Sequence, residues 1–269
     1  MRKKTDSKER DVPVALTVAG SDNSGGAGIQ ADLKTMTRLG VYGCSAITCV
    51  VAEHPGKVLN ITPVPAARVK DQMELTVEAF PVHAMKTGML YSRPIIEVVA
   101  DWLENVKHPP QLVIDPVMVA TSGGLLLKPS AVKTMKERLL PLAACVTPNL
   151  DEASALLGQQ IQSVSEMEAA CDQAYRKWDV PFLLKGGHLK GKQAVDVFYD
   201  GVRMVHLKSE RVARVQTHGT GCTFSAAIAS GLAAGMPLLS AVRRAKRYVT
   251  RAIQDHYRLG RYTPLNHIQ

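Results

Sequence analysis

No stretch of the 269-residue chain is apolar for long enough to cross a bilayer, so no membrane-spanning helix and no membrane partner is expected. Cysteine is sparse. Cys44, Cys49, Cys145, Cys171 and Cys222 make an odd set of five, with no C-x-x-C pair and no Cys/His zinc spacing. That argues against a disulfide scaffold and against the common zinc modules. Four of the five lie in apolar runs, which fits reduced thiols and a cytoplasmic compartment. No RNA-binding or helix-turn-helix signature appears, and outside the first eleven residues the basic side chains are scattered. No composition break, linker or internal repeat divides the sequence, so residues 12–269 are expected to form one domain. Residues 1–11 are basic and lack the apolar core of a secretory signal; a flexible tail is expected there.

What is present is an ordinary globular composition, 46% hydrophobic and 21% charged. The net charge of +9 suits an anionic partner, and the scatter of Lys and Arg favours a small phosphorylated ligand over nucleic acid. Apolar runs of strand length, at 13–19, 44–51, 82–86, 112–114, 143–147 and 181–185, alternate with helical spacing over 29–39, 65–79, 94–106, 130–139 and 165–177. Residues 195–199 and 202–207 alternate around Asp200-Gly201, a hairpin signal. Two helices follow, one directly after Gly219 and one from Leu238 to about Tyr257. Continuous apolar strands joined through helices argue for an α/β fold with a mostly parallel sheet covered on both faces.

Strand after strand ends in a polar or glycine cluster: at 20–28, 53–56, 86–89, 115–118, 148–152, 185–188 and 217–222. In open α/β sheets ligands bind beyond the carboxyl ends of the strands. The glycines at 25, 26 and 28 do not have dinucleotide-fingerprint spacing, and Lys34-Thr35 lacks the glycine and the position of a Walker A loop. In Gln216-Thr217-His218-Gly219-Thr220-Gly221-Cys222-Thr223, two glycines flank a threonine just before a small-residue helix. A helix N-terminus leaves its first N–H groups unpaired and carries a partial positive charge, so this turn is a ready anion site. Cys222 falls in the first turn, where that field is expected to lower a thiol's pKa. Taken alone, the turn reads equally as a plain glycine turn before a packing helix.

A magnesium–nucleotide site needs hard oxygen donors, and Asp115 and Glu152, each just past a predicted strand, are the candidates. Asn149 and Glu152 also have capping-box spacing, a purely structural alternative. Lys185 ends a strand before Gly186-Gly187, where a fixed cation offsets phosphate charge; a surface lysine is the plainer alternative. Residues 219–222 would then hold a phosphoryl group in transit, with donors aimed at its charge.

As a set, several motifs closely resemble the hydroxymethylpyrimidine/phosphomethylpyrimidine kinases of thiamine biosynthesis. They are Ala19-Gly20-Ser21-Asp22 with Ser24-Gly25-Gly26-Ala27-Gly28-Ile29-Gln30-Ala31-Asp32, Lys86-Thr87-Gly88-Met89-Leu90, Asp115-Pro116-Val117-Met118, Val146-Thr147-Pro148-Asn149-Leu150-Asp151-Glu152, Lys185-Gly186-Gly187-His188 and Thr217-His218-Gly219-Thr220-Gly221-Cys222-Thr223. Their order and spacing match over about residues 14–256. The family is ribokinase-like, so the resemblance implies a three-layer, Rossmann-like α/β/α domain with ATP and Mg2+ as cofactors, and relatives suggest a homodimer. By resemblance, Gly219, Thr220, Gly221 and Cys222 form the anion hole, with Lys185 near the ATP phosphates. Asn149, Thr217 and Gly187 belong to the nucleotide side, and Glu152 with Asp115 to magnesium. Gly20, Asp32, Val51, Glu53, Met89 and Lys246 resemble the pocket for the pyrimidine and its hydroxymethyl group.

The chain departs from that pattern after the second strand, with Ala52-Glu53-His54-Pro55-Gly56 where most members have Ala-Gln-Asn-Thr or a close variant. Glu53 accepts a hydrogen bond from an amine but cannot donate one as an amide does, and Pro55 stiffens the loop. A pyridoxal or pyridoxine kinase of the same branch is therefore the alternative within the family. A dinucleotide-dependent oxidoreductase is the alternative outside it, and the glycine spacing counts against that. Segments 123–124 and 53–57 are candidates for a loop that closes over the site.

Overall fold

The computed structural model describes residues 11–118, 127, 129–187, 189, 191–212, 215 and 218–268. The expected tail at 1–11 and the Gly123-Gly124 segment therefore lie almost wholly or wholly outside the described residues. Nine strands occur among them: β1 (Val14–Asp22), β2 (Tyr42–His54), β3 (Lys57–Pro63), β4 (Val82–Thr87), β5 (Gln111–Ile114), β6 (Cys145–Val146), β7 (Phe182–Leu184), β8 (Gln193–Tyr199) and β9 (Met204–Glu210). The α-helices are α1 (Gly28–Arg38), α2 (Ala66–Ala79), α3 (Arg93–Asn105), α4 (Pro129–Thr134), α5 (Leu150–Leu157), α6 (Val164–Trp178), α7 (Thr220–Ala233) and α8 (Leu238–Gln254). One sheet runs in the order β3-β2-β1-β4-β5-β6-β7-β8-β9. From β2 to β7 neighbouring strands are parallel; β3, β8 and β9 are antiparallel additions at the two edges.

The central strands are apolar on both faces because both faces are covered. Leu16, Val18, Met85, Leu112, Ile114 and Val146 point into one core shared with α2 to α6. Ala15, Ala84, Val113, Cys145 and Leu183 point the other way, into a second core with α1, α7 and α8. The result is the expected three layers. Helix α7 is buried from Thr223 to Ala233, which explains its run of Ala, Ser and Gly: small side chains let it lie close against the sheet and against α1 and α8.

Strand order reverses at β1, with β2 and β3 on one side and β4 onward on the other. The crevice beyond the carboxyl ends of β1 and β4 is the switch point where α/β sheets bind ligands. Four elements differ from the sequence reading, one being α5, which was not among the expected helices. The polar turn after the second strand is the tip of a β2–β3 hairpin, in which Val51 pairs with Ile61 and Glu53 with Val58. The expected strand at 143–147 keeps two residues, Cys145 and Val146. The expected helix over 130–139 loosens at Met135–Leu139 into a wider π-type turn.

Candidate active site

Two helix N-termini meet at the switch point. Helix α7 starts after Gly219, whose φ of +81° suits glycine, and a Cβ there would stand 1.8 Å from the Gly26 carbonyl oxygen. Helix α1 starts at Gly28, φ +56°, where a Cβ would stand 2.4 Å from the Gly20 carbonyl oxygen. Neither terminus is closed by a capping side chain, and a hydrogen bond joins the Gly28 backbone to the Cys222 sulfur. The front glycine loop is thus interlocked with the late turn. Asp22 strengthens the join: it accepts from Ser24 N and Oγ, from Ala27 N, and at 3.1 Å from His218 Nε2. Burial alone would push the Asp22 carboxyl up, but His218, Ser24 and Ala27 outweigh it and hold it at about 2. Burial likewise opposes a charged His218, yet Asp22 and Glu53 raise its pKa.

Beneath this junction lies an ion pair without solvent contact. Lys86 Nζ donates to Asp32 Oδ2 at 2.8 Å, both side chains being 0% exposed, and Thr17 Oγ1 donates to the same oxygen at 2.6 Å. Asp32 Oδ1 has no partner. Burial drives the Asp32 carboxyl upward, with Lys86 and Thr17 offsetting part of that, whereas the Asp32 charge keeps Lys86 protonated against its own burial.

On the other side of the α7 turn, Lys185 Nζ donates to Asp115 Oδ1 at 2.9 Å. The pair abuts the turn so closely that a Cβ at Gly221 would stand 3.0 Å from Lys185 Nζ. Burial disfavours the Lys185 ammonium, but Asp115 and Glu152 raise its pKa. Glu152 is buried, and the capping box is real: Asn149 N donates to Glu152 Oε2 and Glu152 N to Asn149 Oδ1, both at 2.9 Å. Met118 N donates to the remaining oxygen at 3.3 Å. Burial pushes the Glu152 carboxyl up, Lys185 pulls it back and Asp115 adds to the rise. No cluster of three or more His, Cys, Asp or Glu able to enclose a metal exists among the described residues. Two hard carboxylates beside one cavity still fit magnesium, which keeps several waters and takes most other ligands from substrate phosphates.

These groups share one cavity of about 500 Å³. Gly20, Val51, Glu53 and Met89 line one end; Asp115, Asn149, Glu152, Lys185 and Gly187 line the other, with Gly219 to Cys222 on the wall between. Val212, Val249, Thr250 and Ile253 add a largely apolar wall beyond Lys185. Among the described residues no donor reaches the Glu53 carboxylate; burial and the Asp22 charge raise its pKa, and His218 moderates the rise. Burial pushes the Cys222 thiol up to about 12, with Lys86 and the Gly28 hydrogen bond too weak to reverse it. Desolvation at this position thus runs against the field of the helix terminus.

The sequence-derived site residues mostly assemble here; Asp32 is displaced, and Lys246 lines the cavity from another side than expected. Asp32 lies under the cavity wall, committed to Lys86 and Thr17, since a carboxylate with no exposed area needs internal partners. Lys246 stands on the β8 wall: it donates to Asp196 Oδ2 at 2.7 Å, and Asp196 in turn accepts from Gly186 N. Through Asp196 it is linked to the Gly186-Gly187 turn, while it lines the same cavity as Val51 and Met89. Thr217 lies outside the described residues. Sequence reasoning assigned no role to Lys86, to the His218–Asp22 clasp, or to Arg211, whose guanidinium donates to the carbonyls of Gly187, Leu189 and Gly191. Lys86 and His218 sit inside motifs already noted, so their types were visible although their partners were not.

A family model described as phosphomethylpyrimidine kinase matches residues 22–266. The chain is 47% identical to the hydroxymethylpyrimidine/phosphomethylpyrimidine kinase of Rhizobium meliloti, covering 91% of this chain and 92% of that one. It is also 47% identical to the thiamine biosynthesis bifunctional protein ThiED of Geobacter sulfurreducens over 94% of its own length, and spans about half, 52%, of that protein. Among solved structures, the ADP complex of Bacillus subtilis pyridoxal kinase superposes with a TM-score of 0.87 at 39% identity, over 96% of this chain and 98% of that one.

Proposed function

The chain belongs to the phosphomethylpyrimidine kinase family, and from that premise we propose that it transfers the γ-phosphoryl group of ATP to 4-amino-5-hydroxymethyl-2-methylpyrimidine, to its monophosphate, or to both in turn. The observation that carries this reading is the single cavity with the uncapped start of α7 on its middle wall, a Lys185–Asp115–Glu152 cluster at one end and the Gly20–Val51–Glu53–Met89 pocket at the other. The triphosphate belongs on the Lys185 side, where the ammonium offsets its charge. Backbone donors of residues 219–222 are aimed at the phosphoryl group in flight. The acceptor alcohol belongs beside Cys222, whose protonated thiol orients the hydroxyl; the alcohol's proton passes to an oxygen of the transferred phosphoryl group as the new O–P bond forms and the bond to ADP breaks. Asp115 and Glu152 would hold magnesium through its waters, and that ion, when bound, neutralises charge across the phosphates. Positioning and charge are nearly all that phosphoryl transfer asks of a protein.

Structural likeness to a pyridoxal kinase at TM-score 0.87 supports pyridoxal as the second substrate to test. ATP consumption with the hydroxymethylpyrimidine, its monophosphate and pyridoxal, run in parallel, decides between them. Turnover on a pyrimidine is the expected result. Turnover on pyridoxal alone overturns the substrate, and salt-sensitive binding to random DNA without ATP turnover overturns the kinase. We also propose a homodimer in the cytoplasm. Exposed Tyr42, Leu59, Leu75 and Phe80 on and beside the β2–β3 edge support the former, and five cysteines free of disulfides fit the latter.

A further inference from the structure

The end of the chain returns to the back of the phosphoryl-transfer turn. Leu265 and His267 are buried, 3% and 6% exposed. The segment is held along its length: Tyr257 N donates to Pro264 O, Asn266 N to Ala252 O, and Tyr248 Oη to His267 O. Arg38 Nε of α1 donates to Ile268 O. At the buried end of this strap, His267 Nε2 lies 3.1 Å from Thr223 Oγ1. The ring also hydrogen-bonds the Leu265 backbone. A ring donating from Nδ1 to the Leu265 carbonyl and accepting the Thr223 hydroxyl at Nε2 satisfies both contacts.

Thr223 has no exposed surface and follows Cys222 directly. Its backbone N–H donates to Gly219 O at 2.9 Å, the first hydrogen bond that closes the α7 turn. Tyr248 is hydrogen-bonded to Thr35 of α1 as well as to the strap. His267 therefore stands where α1, α7 and α8 meet. Its contact with Thr223 lies in the first turn of α7, while the strap meets α1 in its C-terminal half, at Thr35 through Tyr248 and at Arg38.

We propose that His267 is a positioning residue for the phosphoryl-transfer step, acting through the Thr223 hydroxyl to fix the turn of residues 219–222 in place. The proposal rests on the kinase reading of that turn. In that arrangement the ring is neutral, with Nε2 able to accept; burial and the Lys34 charge hold it at about 4.

The test is steady-state kinetics on purified full-length Thr223→Val, His267→Leu, His267→Gln and the Thr223→Val/His267→Leu double variant, with ATP and the pyrimidine acceptor. A small misplacement of a transfer site costs one to two orders of magnitude, so Thr223→Val and His267→Leu are expected to lower kcat roughly tenfold while both KM values stay within about twofold. The double variant should lose no more than either single one, as coupled residues do. His267→Gln, which can place an amide oxygen near the Nε2 position, should recover most of the loss. Should His267→Leu fail to fold, Thr223→Val decides, because it is nearly isosteric. A kcat for Thr223→Val within twofold of wild type, or additive losses in the double variant, overturns the proposal. An inactive wild-type protein would instead overturn the kinase reading on which it rests.

Discussion

At pH 8 a thiol held at about 12 is four pH units from ionising, so forming the Cys222 thiolate costs roughly 5 kcal/mol and about one molecule in 10⁴ carries it. The structural reason is the company it keeps: a half-buried place on the cavity wall, where desolvation is joined by the like charge of Asp32 and Asp115 that Lys86 only partly cancels. If that thiolate were the base, turnover would climb about tenfold per pH unit well past pH 9. The expected profile is instead flat in kcat between pH 7.5 and 9.5. Iodoacetamide gives an independent reading. Scarcity slows alkylation about 10³-fold relative to an ordinary thiol, and the greater nucleophilicity of a high-pKa thiolate returns roughly tenfold, leaving a deficit of roughly 10²-fold. Cys222→Ser, which keeps a donor, should stay within about tenfold of wild-type kcat, whereas Cys222→Ala should lose most turnover with little change in the KM for ATP. Alkylation at the rate of a free thiol, or a kcat that rises log-linearly with pH in wild type and is flat in Cys222→Ser, would refute the reasoning. Cys222→Ala within a few-fold of wild type would remove the thiol from catalysis altogether.

Gly221→Ala puts a methyl 3.0 Å from Lys185 Nζ and 3.3 Å from Asp115 Oδ2. Alanine in a helix is favoured by up to about 1 kcal/mol over glycine, so thermal stability should hold or rise while kcat falls at least about tenfold; parallel loss of both would contradict the assignment. Lys86→Met strands Asp32 in a site with no solvent contact, a loss of about 3–5 kcal/mol, or roughly 6–20 °C in Tm at this chain size. The Asp32→Asn/Lys86→Met pair should regain much of it, and a single-variant shift under about 2 °C would show the pair to be better solvated than the structure has it. In the proposed pose Glu53 would face an aminopyrimidine edge that offers one donor and one acceptor, and a carboxyl group would match both only with one added proton. As pH rises above the elevated Glu53 pKa that proton is lost, and the acceptor KM should climb up to about tenfold per pH unit. Glu53→Gln should flatten the dependence; identical slopes in the two proteins would discard the idea.

The layers and the parallel sheet were legible because burial on both faces leaves continuous apolar strands, and Ala15 and Leu16 facing opposite cores shows that alternation at work. The α7 turn was legible from Gly219 and Gly221 alone. The β2–β3 hairpin was missed even though Pro55-Gly56 with the alternation of residues 57–63 carried a turn-and-strand signal; reading the polar tip as a strand-end loop hid it. The length of β6 was not legible, since apolar residues at 143–147 fit burial in or out of a ladder. Cys222 was misjudged in its ionisation because a helix terminus can be inferred locally, whereas desolvation is the work of the whole fold.

What escaped the sequence has a common physical origin. Asp22 and His218 are 196 residues apart, Asp115 and Lys185 are 70, Asp32 and Lys86 are 54, and Thr223 and His267 are 44. A charged residue beside a glycine loop invites assignment to a ligand, yet once buried it must first be paired within the protein, because an unpaired buried charge costs more than any local contact returns. Asp32 is spent in this way on Lys86, and Lys246, though it lines the cavity, is paired with Asp196. The groups left with unspent capacity at the cavity are the Glu53 carboxylate, the edge of Lys185 and the uncapped starts of α1 and α7. On the proposed function, that remainder, together with the Asp115 and Glu152 carboxylates, would receive one amine-bearing ring and one run of phosphates on either side of a single transfer point.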